Sequence, residues 1–181
     1  MLWTQANALA CSRYHNLLHR HADKVEIANR SNLINSFCSG IIQTDNHRLY
    51  RTPTYYAQQL YATLAGNRPL KIEPEQPVGA VPDISATFSA ADKAVVLFAV
   101  NPSPAPIRQT LNFRAFGNVK PEIEIWTLAD TKHSGEPDVA NSFAEPERVR
   151  PVKSTMSPPG PKFAYTLPEL SLTVMRVRLR N

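Results

Sequence analysis

The spacing of hydrophobic positions changes part-way along this chain. In the first third they recur at three and four residues. Trp3, Ala6, Leu9/Ala10, Tyr14 and Leu17/Leu18 form one stripe, and Arg13, Asn16 and Arg20 fall off it. That spacing predicts a helix with its apolar face inward. A second, short helix is predicted over 28–37, with Leu33, Ile34 and Phe37 inward. An apolar run after a glycine, 40–44, predicts a short buried strand ended by Asp45-Asn46. The next helix has the plainest start signal. Thr52 fits an N-cap and Pro53 the first helical position. Tyr55/Tyr56, Leu60/Tyr61 and Leu64 give its stripe, and Gly66-Asn67 ends it. A single strand among helices cannot close a sheet, so this region reads as part of a larger α/β unit.

Beyond residue 83 the apolar runs are short and separated by turns. Strands are predicted at 84–89, 94–100, 107–113, 122–127, 161–167 and 170–180, with Pro- and Gly-bearing turns between them. That pattern argues for an antiparallel sandwich. In the last strand Leu170, Leu172 and Val174 alternate, and Met175, Val177 and Leu179 then alternate on the opposite parity. Such a slip predicts a bulge or a strand end buried on both sides. Residues 129–160 are polar and read as a long loop, in the manner of an insertion.

Proline marks the boundary. Of 16 prolines only Pro53 precedes residue 68, and 67–77 is a proline-spaced, extended connector. The expected division is 1–66, a linker at 67–82, and 83–181. Composition adds exclusions. A chain of 181 residues with 43% hydrophobic residues and a net charge of +5 can bury a core and is not disordered. No apolar run approaches the ~18 residues of a membrane-spanning helix. Two cysteines, Cys11 and Cys38, do not make a disulfide scaffold, and both read as inert core residues. Residues 1–10 offer neither the basic nor the long apolar stretch of a secretory signal, which leaves the compartment open.

Candidate chemistry is sparse. His15 and His19 are four apart on a helix, but Asn16 stands where a zinc protease motif needs Glu, so they read as polar helix-face residues and no metal is implied. There is no G-x-S-x-G, G-x-G-x-x-G or P-loop. The sequence pI is about 9.4, and Arg176, Arg178 and Arg180 line one side of the last strand. The charge is nevertheless spread over both regions, and no nucleic-acid motif accompanies it. In the first region Asp23, Glu26 and Asp45 are the carboxylates. Asp45 follows a strand at its C-terminal end but has no partner, whereas glycoside hydrolysis uses two carboxylates about one bond.

The series 17–29, Asn32-Leu33-Ile34-Asn35, Ile41-Ile42-Gln43-Thr44-Asp45 and Arg51-Thr52-Pro53-Thr54-Tyr55-Tyr56-Ala57 resembles the C-terminal third of the family 51 glycoside hydrolases, the α-L-arabinofuranosidases. The likeness covers about residues 8–65. The later region resembles that family's C-terminal domain by position and strand pattern. The resemblance implies an α+β fragment: the last helices and strand of a (β/α)8 barrel, followed by an antiparallel, jelly-roll-like β-sandwich. Residues 2–21 are then the penultimate helix, 40–44 the last barrel strand and 53–65 the last helix. It also implies a retaining enzyme with two catalytic Glu on earlier barrel strands. Neither has a counterpart here, so Met1 would be internal, a mis-assigned start or the edge of a fragment, and the chain alone inactive. Some family members place a substrate-contacting Gln where Arg51 stands; Arg51 and Gln43 are the candidate sugar contacts. No cofactor is implied. The partner implied is an arabinose-containing oligo- or polysaccharide, bound by the full-length enzyme, which could form a homo-oligomer; neither nucleic acid nor a membrane is expected as a partner. Tyr55, Tyr56 and Tyr61 read as core packing. The alternative is a stand-alone carbohydrate-binding or interaction module, for which Trp126 and Phe113 would be the platform.

Overall fold

The computed structural model describes residues 3–30, 33–36, 40–73, 77, 79–117 and 119–180. In chain order the elements are α1 (Gln5–Arg20), β1 (Ile42–Thr44), β2 (Leu49–Arg51), α2 (Pro53–Leu64), β3 (Arg68–Leu70), β4 (Asp83–Ser89), β5 (Ala94–Asn101), β6 (Ile107–Asn112), a 3-10 turn (Arg114–Phe116), β7 (Val119–Asp130), β8 (Val149–Met156), β9 (Lys162–Leu167) and β10 (Ser171–Leu179). A six-stranded sheet runs β3-β4-β5-β10-β7-β8, β6 pairs with β9, and β1 with β2. Among the described residues these strands all pair antiparallel, and an isolated parallel bridge joins Ile34 to Ile42.

The large sheet lies between two layers, and β5 shows why. All eight of its residues are buried. Val96, Phe98 and Val100 face α1 and α2, meeting Ala8, Leu9, Tyr56, Ala57, Leu60 and Tyr61. Val95, Leu97 and Ala99 face the β6–β9 pair, meeting Leu111, Phe113, Phe163 and Leu167. A strand buried on both faces reads as an unbroken apolar run instead of an alternating one. The parity slip of β10 has the same origin. Leu172 and Val174 face the helices, Met175 and Val177 face the small sheet, and the pairing with β7 shifts between Val177 and Leu179. A bulge and two-sided burial both occur.

The start of α2 forms as its sequence signals. Thr52 is fully buried and accepts from Tyr55 N, with Pro53 in the first turn. Thr52→Ala should therefore cost about 1 kcal/mol, read as a lower denaturation midpoint at unchanged slope. An unchanged midpoint would mean that the hydroxyl does not cap.

Four expectations are corrected. The stripe of α1 is rotated: Gln5, Ala8, Leu9, Ser12 and Asn16 are buried, whereas Tyr14 and Leu17 are 59% and 40% exposed. The helix packs polar groups inward because each has a partner there, such as Ser12 Oγ on Ala8 O. No helix forms at 28–30 or 33–36, and Leu33 and Ile34 are exposed. Asn35 adopts φ 47°, and its side chain bonds Thr44 N and O, competing with helical hydrogen bonds. Phe37 and Cys38 lie outside the described residues. The strand at 40–44 does not stand alone: Ile42–Thr44 pairs with Leu49–Arg51 as a hairpin. Finally, 129–160 is not one loop. Its first two residues complete β7, and 149–156 forms β8 on the sheet edge, where Pro151 is tolerated. The connector also contributes, since Arg68–Leu70 pairs with β4.

The true loop, 131–148, closes over the start of α1. Val139 O and Pro137 O accept from Gln5 N and Ala6 N, and Thr4 bridges Ala140. These bonds satisfy donors that a helix start leaves open.

Candidate functional site

The residues singled out for sugar contact lie on the β1–β2 hairpin. Its turn is built by Asp45, whose carboxylate accepts from His47 N (3.1 Å), Arg48 N (2.8 Å) and the Arg48 guanidinium (2.6 and 2.9 Å). The backbone N–H of His47, with the hydrogen bonds and charge of Arg48, holds its carboxyl below the usual range. The strand-end carboxylate is thus committed to the turn.

Gln43 is half-buried and donates to Gly40 O at 2.8 Å. Arg51 is exposed, with its guanidinium carbon 5.2 Å from the Tyr55 ring centroid. The hairpin pairs Gln43 with Tyr50 and Ile42 with Arg51. Paired residues share a face and successive residues alternate, so Gln43 and Arg51 stand on opposite faces. The structure places them on adjacent strands without bringing their side chains together. Tyr56 and Tyr61 are core residues, and Tyr55 is half-buried under Arg51.

Two residues of the 131–148 loop hold this hairpin, and neither carried a signal in sequence. Asn141, buried, donates to Arg51 O (2.8 Å) and Val149 O (2.9 Å) and accepts from Val149 N (2.7 Å). Phe143 packs edge-on to Tyr50 (4.9 Å) beneath Arg48 (4.9 Å). The loop is itself pinned by Asp130, which accepts from Lys132 N, Ser134 N and Oγ, and Arg148. Burial pushes the Asp130 carboxyl up, but these donors outweigh it and bring it to about 2.

A cleft of about 710 Å³ opens elsewhere, between α1 and the start of β4, lined among others by Arg13, Tyr14, Leu17, Arg20, Leu70 and Asp83. Neither Arg51 nor Gln43 lines it. Its floor continues into a buried polar network. Asp83 accepts from Arg20 Nη1 (2.9 Å) and Asn16 Nδ2 (2.9 Å), with Arg13 Nε at 3.6 Å. Asn16 Oδ1 accepts from Tyr61 Oη (2.7 Å) and Ser85 Oγ (2.6 Å). Ser85 Oγ is also 2.9 Å from His19 Nδ1. Its hydrogen is used on Asn16, so His19 Nδ1 is the donor.

The histidine pair is therefore an interface element. His15 stacks on Tyr61 (4.7 Å), Tyr61 stacks on Phe98 (4.3 Å), and His19 meets both rings at 5.4 and 5.2 Å. Burial, then the neighbouring His15 and Arg20, lower the His19 pKa to about 4. Burial and Arg30 lower that of His15. Among the described residues no three His, Cys, Asp or Glu are grouped to hold a metal ion.

The chain's family decides how these parts are read. The model of the α-L-arabinofuranosidase C-terminal domain matches residues 2–171. This chain belongs to that family. Among solved structures it is similar to an arabinose-bound family 51 α-L-arabinofuranosidase, at 20% identity and a TM-score of 0.86, covering 98% of this chain and 28% of that one. It is similar to the thermostable enzyme of Thermotoga petrophila (20%, TM-score 0.83) and to that of Thermotoga maritima in complex with arabinose (20%, TM-score 0.81). Both likenesses cover 98% of this chain and 39% of the other. At such identities the likeness carries the fold: two helices and antiparallel sheets in the arrangement of the arabinofuranosidase C-terminal region. No curated protein sequence matches the chain. The chain spans between about a quarter and two fifths of the length of these enzymes.

Proposed function

We propose that this chain is the C-terminal portion of a retaining α-L-arabinofuranosidase, removing terminal α-L-arabinofuranosyl residues from arabinose-containing oligo- or polysaccharides. The match of the α-L-arabinofuranosidase C-terminal domain over residues 2–171 carries this reading. In it α1, β1 and α2 are the last elements of a (β/α)8 barrel within 1–66, residues 67–82 link, and 83–181 is the sandwich. The catalytic glutamates belong to barrel strands outside this sequence.

The distribution of exposed apolar side chains supports it. Tyr14, Leu17, Val25, Ile27, Leu33, Ile34 and Leu49 lie in the part read as barrel and are exposed, against Val81, Phe143 and Val152 in the rest of the described chain. Remaining barrel elements would cover them. Arg51 and Gln43 are the proposed sugar contacts of the assembled enzyme. Standing on opposite hairpin faces, they would serve different parts of the substrate or leave one of the two without a sugar role.

The purified 181-residue chain should not release nitrophenol from an aryl α-L-arabinofuranoside above a buffer blank. The same chain extended by the in-frame sequence upstream of the Met1 codon should do so. Turnover by the 181 residues alone would overturn the proposed division of labour. An upstream extension without barrel strands and a glutamate pair would overturn the fragment reading.

A further inference from the structure

The helices cover only part of their side of the six-stranded sheet. Past them, β8, β7 and β10 present two adjacent rows of side chains. The register sets Thr155, Glu124 and Arg176 in one row, and in the next Lys153 and Trp126 lead to Val174, which is already buried under the helices. Glu124 is 9% exposed and is shared by three cations: Lys153 Nζ at 2.7 Å, Arg178 Nη1 at 2.8 Å and Arg176 Nη1 at 3.6 Å. Burial pushes the Glu124 carboxyl up, but these cations outweigh it and hold it below the usual range. Two of the positive charges are uncompensated within the group, and the Lys153 and Arg178 side chains are 54% and 37% exposed. Trp126, half-buried, lies against the same cations, with Lys153 Nζ 5.0 Å and Arg176 Cζ 5.2 Å from its ring.

We propose that this surface binds a carboxylate-bearing polysaccharide at a site apart from the β1–β2 hairpin. Lys153 and Arg178 have N–H groups free to turn toward an incoming carboxylate. When Lys153 swings toward the ligand it leaves the Trp126 ring, and the uncovered face takes the apolar side of a sugar. Glu124 then accepts from sugar hydroxyls. A phosphate backbone offers only acceptors to that carboxylate, and one tryptophan is not the row of rings that a nucleic-acid strand stacks upon, so charge and chemistry favour the acidic saccharide. The proposal stands whether or not the arabinofuranosidase reading does.

The test uses the 181-residue chain with polygalacturonate as probe and neutral arabinan as control, by affinity electrophoresis and tryptophan emission. Polygalacturonate should retard the chain and change its emission, arabinan should do neither, and binding should weaken as salt rises to about 0.3 M. Trp126→Phe should abolish the emission change, because Trp3 is the only other tryptophan. Lys153→Gln and Arg178→Gln should each weaken binding by about fivefold or more, the loss of one charge contact. Circular dichroism confirms folding, and either variant suffices if the other fails it. No retardation by polygalacturonate, equal retardation of folded variants and parent, or tighter binding of a single-stranded oligonucleotide would overturn the proposal.

Discussion

Gly66→Ala is expected to be among the most damaging single substitutions in this chain. Gly66 follows α2 and crosses β4 at close range, its N–H donating to Thr87 Oγ1 at 2.8 Å. A Cβ there would sit 2.2 Å from Phe88 C, 2.3 Å from Phe88 O and 2.4 Å from Ser89 N. All three atoms belong to backbone paired into the large sheet, so no flexible side-chain end can give way. Overpacking in a core costs about 1–3 kcal/mol when side chains absorb it. Here the backbone must move, and a loss of ~3 kcal/mol or more follows, roughly 10 °C in melting temperature for a chain of this size. Gly160→Ala, where nothing lies within 4 Å of the added carbon, is the control and should leave the melt almost unchanged. Similar melts for the two variants would show that the segment after α2 can lift from β4 without penalty.

The second large effect concerns acid. His19 has a folded pKa of about 4 against 6.5 for the free side chain. Its unfolded form takes up a proton first as pH falls, so the contribution is complete above about pH 6.5, declines between 6.5 and 4 and is gone below. The shift corresponds to at most about 3 kcal/mol, and His15, lowered in the same direction, adds to it. The cause is geometric. A charged His19 would lie among Tyr61, Phe98 and Ser85, beside Arg20 and His15, while the Asp83 carboxylate is already taken by Arg20 and Asn16. Asp130, at about 2, loses its contribution only below this window. Denaturant unfolding at pH 7.5 and 4.5 should show a clear drop for the parent chain and a much smaller one for His19→Gln. The same drop in both would remove His19 as its source.

Much of the architecture was legible because local and tertiary preferences agreed. Thr52-Pro53 opens α2 as its residues direct, and the apolar run of β5 is a central strand. Other elements were hidden for physical reasons. β8 has a proline and mostly exposed side chains, since an edge strand needs little apolar content. β2 is three residues long and exists through its pairing with β1. The phase of α1 was misread because its inward face carries Gln5, Ser12 and Asn16, whose partners a helical pattern cannot reveal; Asn16 meets Asp83 across 67 positions. At the candidate site, Gln43 and Arg51 were singled out by the resemblance to the family 51 glycoside hydrolases. Their opposite orientation depends on a register fixed by pairing, and the hold of Asn141 on Arg51 comes from a loop 90 positions away.

The core beneath α1 and α2 bears on how this chain can be divided. Phe98, Val100, Leu172 and Val174 belong to the sheet, and Leu9, Ala57, Leu60 and Tyr61 to the helices, yet they form one interior. A cut at the proline-rich connector would strip the sheet of its cover and leave a sticky surface on both halves. No cut between α1 and the sheet leaves this interior closed. Any exchange of neighbouring parts would have to keep the two helices with the strands that follow them.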